Sequence, residues 1–224
     1  MATVGTARRS PPRDAAAGTR ERLIGAAERL FAARGYRATS VRAITAAADC
    51  NLASVTYHFG GKLPLYRETL ERRLRLLREQ RVRSVRSVPA GTDGPPDPAA
   101  VVRAFTMAFL EPHLDERRGH LLMNLFSREL LDPHLRPGTL QREIIDPVEE
   151  ALVEALRRTG VRLRGRAARR CVESVVAQLA HAVRMRGIAG AASARVRDDF
   201  ARRGIVDHIV TFSIAGIAAC AEAD

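Results

Sequence analysis

The chain has 224 residues, 46% of them hydrophobic, enough to bury the core of one large domain or two small ones. Aromatic residues are only 4% and Trp is absent, which favours small and aliphatic side chains packed in helices over a β-sandwich. The net charge of +12 is polarised: residues 1–88 hold 18 Arg and Lys against 7 Asp and Glu, and residues 89–224 hold 19 against 18, so the first part reads as a polyanion binder.

Residues 1–18 carry Arg8, Arg9 and Arg13 among small residues and prolines, and have no apolar stretch of the kind a signal peptide needs. They read as a disordered basic arm, either a free tail or one that touches a minor groove or flanking phosphate. From Thr19, a capping residue, the apolar Leu23, Ile24, Ala27, Leu30 and Phe31 recur at helical spacing, and Gly35 can close that helix. A short helix follows over about 41–48, with Thr39 or Ser40 as its cap. Asp49 and Cys50 then turn the chain, and Asn51 caps a third short helix over about 52–58. A long basic helix spans about 62–87, and Pro64 is tolerated in its first turn.

Residues 88–97, VPAGTDGPPD, form a loop. Asp97-Pro98 caps a helix to about Leu114, and another runs over about 116–131 before a stop at Pro133 to Gly138. A helix over about 139–158 is expected to kink at Pro147. The last two helices cover about 164–187 and 196–221. No stretch shows sustained alternation of period two, so the fold is expected to be all-α with about nine helices.

Several function classes find no support. There is no P-loop, no GxGxxG after a strand, no HExxH and no GxSxG, so neither catalytic residues nor a cofactor are expected. Cys50, Cys171 and Cys220 are far apart, which gives no disulfide framework and no metal spacing. That usage points to a reducing compartment, and no stretch of 18 apolar residues is expected to span a membrane.

The informative segment is residues 35–66, a short helix, a tight turn and a second short helix, the unit that sets a recognition helix in a DNA major groove. Val41, Ile44, Ala48 and Val55 are suited to lock the two helices together. Ala53, Ser54, Thr56, Tyr57 and His58 are suited to face the groove. Ser40, Asn51 and Tyr57 are placed for phosphates, Arg42 for a base or phosphate, and Lys62 for the backbone. Phe59 is expected in the core. For His58 a structural hydrogen bond is the alternative. Arg72, Arg73, Arg75, Arg78, Arg81, Arg83 and Arg86 read as a solvated helix face.

Gly35-Tyr36, Thr39-Ser40-Val41-Arg42-Ala43-Ile44, Ser54-Val55-Thr56-Tyr57-His58-Phe59 and Lys62 with Leu65 together resemble the DNA-binding domain of the TetR/AcrR family of bacterial regulators. The match covers about residues 19–66. Departures are Thr45 where alanine is usual, Thr56-Tyr57 where the tyrosine usually comes one place earlier, and Asp49 in place of the turn glycine, which predicts a looser turn. The stretch from Asn51 to Lys62, with Ser127-Arg128-Glu129-Leu130 and Ile144-Ile145-Asp146-Pro147, is similar to a CecR-like subgroup.

The resemblance implies a three-helix DNA-binding domain over 19–66, and a helical bundle over 67–224 for ligand binding and dimerisation. It implies a homodimer through the last two helices, reading a palindromic operator as a cytoplasmic bacterial repressor, nucleoid-associated when bound to DNA and released by a small-molecule effector. Dimer candidates are Val175, Val176, Leu179, Ala180 and Val183 with Ile205, Ile209, Phe212, Ile214 and Ile217. Met107, Phe109, Met123 and Phe126 suit an adaptable apolar pocket or plain core packing. Asn124, Arg128, Gln178, His181 and Arg184 suit polar contacts to a ligand, core polar groups or an interface. The alternative function is a non-specific architectural DNA-binding protein.

Overall fold

The computed structural model describes residues 13–92, 94–114, 116–163, 165–189 and 204–222. Among these, nine α-helices and no strand appear: α1 (Arg13–Ala38), α2 (Val41–Ala47), α3 (Ala53–Phe59), α4 (Lys62–Arg86), α5 (Pro98–Leu114), α6 (Glu116–Leu131), α7 (Asp146–Arg158), α8 (Gly165–Ala189) and α9 (Gly204–Glu222). A π-helical turn, Gln141–Ile145, leads into α7. Two compact units divide between Leu70 and Glu71, within α4.

In the N-terminal unit, α1 begins at Arg13. Residues 13–18, expected in the basic arm, are therefore helical, and Thr19 lies inside the helix instead of capping it. Arg8 and Arg9 lie outside the described residues. The backbone leaves helical geometry at Gly35 (φ 79°, ψ 173°), a region open to glycine because it has no Cβ. Thr39 secures this end, its buried Oγ1 donating to the carbonyls of Gly35 (2.7 Å) and Leu30 (3.2 Å). Leu23, Ile24, Ala27 and Phe31 meet Ile44, Ala48, Val55 and Leu65 in the core, while Leu30 and Val41 are half-buried. Phe31, Tyr36 and Tyr66 form an aromatic cluster, with Phe31 and Tyr66 edge-to-face at 4.8 Å.

In the C-terminal unit, α5, α7, α8 and α9 share one core through Phe105, Leu152, Val172, Leu179 and Ile209. Asp97 caps α5 as expected, its carboxylate accepting from Ala99 N (3.0 Å) and Ala100 N (3.3 Å). Pro147 does not kink the middle of a helix: it sits in the first turn of α7, directly after the π-helical turn. Proline has no N–H to offer the carbonyl four residues earlier, that of Glu143. Arg78 Nη1 takes this carbonyl at 3.2 Å and pairs with the Glu143 carboxylate at 3.2 Å. Glu129, a buried carboxylate on α6, accepts from the N–H groups of His134 (2.9 Å) and Leu135 (2.7 Å) and so closes the loop after α6.

The segment Gly204–Ala221 of α9 is long and apolar enough to cross a membrane by length and composition alone, with a mean hydropathy of 1.7 over 18 residues, although Asp207, His208, Thr211 and Ser213 interrupt its apolar run. Val206, Ile209, Val210 and Ile217 are buried where α9 packs on α5 and α8, while Phe212, Ala215 and Ala218 are exposed.

Candidate nucleic-acid interface

Helices α2 and α3 and the turn between them carry the predicted contact residues. Ser40 caps α2 from extended backbone, its Oγ accepting from Ala43 N at 3.1 Å. Asn51 Oδ1 accepts from Ala53 N at 2.9 Å at the start of α3. Both side chains spend an oxygen lone pair on the fold and keep their N–H or O–H donors, the groups a phosphate oxygen needs.

The turn is not looser for lacking glycine. Asp49 adopts a left-handed conformation (φ 49°), Asp49 N donates to Ala46 O (3.3 Å) and Cys50 N donates to Thr45 O (2.9 Å). This paired pattern is a Schellman motif with Asp49 in the position that usually holds glycine, and aspartate is among the residues best able to adopt that conformation. Arg22, which sequence reasoning left unassigned, braces the turn from α1: its Nε donates to Ala48 O at 3.1 Å, and an Nη reaches Cys50 Sγ at 3.7 Å. The contact is long-range, and no local pattern around Arg22 signals it. Thr45, where the family usually has alanine, turns its buried hydroxyl back to the Val41 and Arg42 carbonyls and so leaves no unpaired donor in the core.

On α3, Val55 faces the core while Ala53, Thr56 and Tyr57 are exposed, Tyr57 at 69%. Ser54 and His58 are half-buried, and the His58 ring lies 4.9 Å from that of Tyr57. Arg42 is exposed on α2. Neither helix contains a carboxylate, so nothing on them repels a polyanion. Phe59, expected in the core, is only half-buried and lies under Arg20, whose guanidinium is 5.3 Å from the ring centre and pairs with Glu68. Lys62 Nζ lies 4.2 Å from the centre of the Tyr36 ring, and partial burial lowers its pKa. Its ammonium is thus positioned by a ring face at the start of α4.

Of the ligand candidates in the C-terminal unit, Gln178 lines one of two described clefts. Met107 and Phe126 are half-buried, Phe109 is buried, Arg128 and His181 are exposed, and the side chain of Met123 lies outside the described residues. Gln178 Nε2 donates to Ser174 O and to Ser213 Oγ, each at 3.3 Å, and lines a cleft of about 190 Å³ between α8 and α9 with Cys171, Phe212 and Gly216. A second groove of about 700 Å³ between α4, α7 and α8 is lined by arginines and glutamates and by none of these candidates. No cluster of His, Cys, Asp or Glu that could hold a metal occurs among the described residues.

A helix-turn-helix with an exposed, carboxylate-free recognition helix, joined by α4 to an all-helical second unit, defines a DNA-binding transcription regulator. The family model described as bacterial regulatory proteins, tetR family, matches residues 23–69, so the N-terminal part of the chain carries a DNA-binding domain of the TetR type. No curated protein matches the chain. Among solved structures, a protein of Pseudomonas aeruginosa PAO1 described as a transcriptional regulator is similar with a TM-score of 0.69 at 19% identity, covering 94% of this chain and 93% of that one. The TetR-family transcriptional regulator PfmR from Thermus thermophilus is similar with a TM-score of 0.59 at 22% identity, covering 85% and 97%. A transcriptional regulator from Saccharomonospora viridis, solved in complex with choline, is similar with a TM-score of 0.62 at 19% identity, covering 88% and 95%. At these identities the likeness is one of fold.

Proposed function

We propose that the chain is a ligand-responsive repressor that binds a palindromic operator as a homodimer in the bacterial cytoplasm and is released by a small molecule. The observation that carries this is the surface of α3, where Tyr57 is 69% exposed beside Thr56 and Ala53 on a helix without carboxylates. Ser40, Arg42, Asn51, Ser54, Thr56, Tyr57 and His58 make the DNA contacts in this reading, and Lys62 takes a phosphate. A small-molecule effector is supported by the choline complex of the S. viridis protein.

The homodimer is proposed through α8 and α9, with an assignment that differs from the expectation in detail. Val175, Leu179, Val183, Ile209 and Ile217 are used up in the core of the single chain. The face left for a partner holds Phe212, 63% exposed, with Ala180, Ala215 and Ala218. Small residues around a large apolar one allow close approach of a second helix pair.

Selection of bound fragments from a genomic DNA pool by the purified full-length chain tests the reading. A single palindromic motif bound about 10³–10⁷ times more tightly than random duplex is expected. Enrichment without a motif, decaying as salt rises, would instead favour the architectural DNA-binding protein.

A further inference from the structure

Arg81 belongs to the arginine run of α4, yet it is not solvated. It falls in register with Leu74, Leu77 and Val85 on the core face of the helix and is only 8% exposed. Its guanidinium carbon lies 3.9 Å from the centre of the Phe109 ring on α5. Its Nε is buried without a hydrogen-bond partner. Among the described residues no carboxylate pairs with it, and burial alone lowers its pKa to about 10, so the side chain stays charged at neutral pH. One turn before Phe109, Thr106 is wholly buried, and its Oγ1 also lacks a partner. The C-terminal unit thus holds two unmet buried donors, one on a guanidinium without a counter-ion among the described residues that stacks on Phe109, the other on the residue three before Phe109 in α5. A ring face offsets only part of the cost of burying such a charge.

We infer that the effector of this chain is a small organic acid whose carboxylate pairs with Arg81 and accepts from Thr106 Oγ1, with its apolar body against Phe105 and Phe109. The inference rests on the reading of the chain as a ligand-responsive regulator, and it names the chemical class of the ligand. A monoanion fits better than a phosphate, because one guanidinium and one neutral hydroxyl would leave a second negative charge buried and unpaired. A cation is disfavoured by the charge already there. The pairing would act on α4, the helix that begins at Lys62 in the N-terminal unit and continues to Arg86.

The test uses the full chain with octanoate and benzoate, their amides octanamide and benzamide, and choline as a cation, read by thermal shift and calorimetry. The carboxylates are expected to raise the Tm of the wild type while the amides and choline do not. Arg81→Met is expected to melt about 2–4 °C higher than the wild type without ligand, because it removes an uncompensated buried charge. It is also expected to bind the carboxylates at least about thirtyfold more weakly. Arg81→Lys keeps the charge without the planar fork and should retain weakened binding.

A lower unliganded Tm for Arg81→Met would make the guanidinium a structural element of the core and overturn the inference. Equal affinity of wild type and Arg81→Met, binding of the amides or choline in place of the acids, or no binding of either acid would each overturn it too. Binding of a genomic DNA motif, measured on the same samples, reports separately on the regulator reading, which fails only if that binding shows no sequence preference.

Discussion

At Asp49 a side chain occupies a backbone conformation that L-residues adopt at a cost of about 1–2 kcal/mol, reduced for aspartate by its short polar side chain. Asp49→Gly removes that cost but adds backbone freedom to the unfolded chain, so it should stabilise the N-terminal unit by no more than about 1 kcal/mol in urea denaturation. Loss of stability would mean that the Asp49 side chain contributes more than its backbone costs. Tyr57 is the converse case, a large side chain that the fold does not need. Tyr57→Ala should leave the unfolding midpoint nearly unchanged, as for most exposed positions, while weakening operator binding by about 1–3 kcal/mol in a fluorescence titration. An unchanged titration would remove Tyr57 from the interface. Spacing alone marks Tyr57, because it needs only the recognition-helix pattern, whereas the bracing role of Arg22 becomes visible only when α1 and the turn are side by side.

Among the elements, the entry into α7 shows how one missing N–H reorganises its surroundings. Pro147 cannot donate to the Glu143 carbonyl four residues earlier, the chain passes through a π-helical turn just before it, and Arg78 of α4 donates to that carbonyl. The two residues are therefore predicted to be coupled. Arg78→Ala should cost about 1 kcal/mol in the wild-type background and less in Pro147→Ala, where residue 147 regains an N–H for the same carbonyl. Additive effects in the double-mutant cycle would separate the two. The proline announced a discontinuity near residue 147 in the sequence. Its type, a π-helical turn with a guanidinium as substitute donor, depends on a contact 65 residues away. The same helix hid Arg81: Leu70, Leu74, Leu77, Arg81 and Val85 share one helical stripe, but the surrounding arginines made a solvated face the simpler reading.

For the molecule as a whole, the exposed face of α8 and α9 is the surface on which association is predicted. Phe212→Asp places a charge at the centre of that face and should yield monomers in sedimentation with little change in thermal stability, since Phe212 is 63% exposed. Leu179→Asp is the control with the opposite outcome. Leu179 is fully buried, so an aspartate there should cost several kcal/mol and unfold the C-terminal unit instead of splitting a dimer. A Phe212→Asp variant that still sediments as a dimer would move the interface elsewhere.

The sequence by itself determined the all-helical class, the helix-turn-helix and the identity of the residues on its outer face. These depend on local quantities: apolar period, capping residues, turn formers and a charge excess confined to the first 88 residues. Tertiary structure alone decided which apolar residues of α8 and α9 are core and which are surface, because both kinds fit the same helical period and only the neighbouring helices distinguish them. It also decided that Asp49 completes a Schellman turn and that Arg81 is buried against Phe109. In each of these the deciding partner lies on another element or in the backbone conformation, and single-chain periodicity carries no information about either.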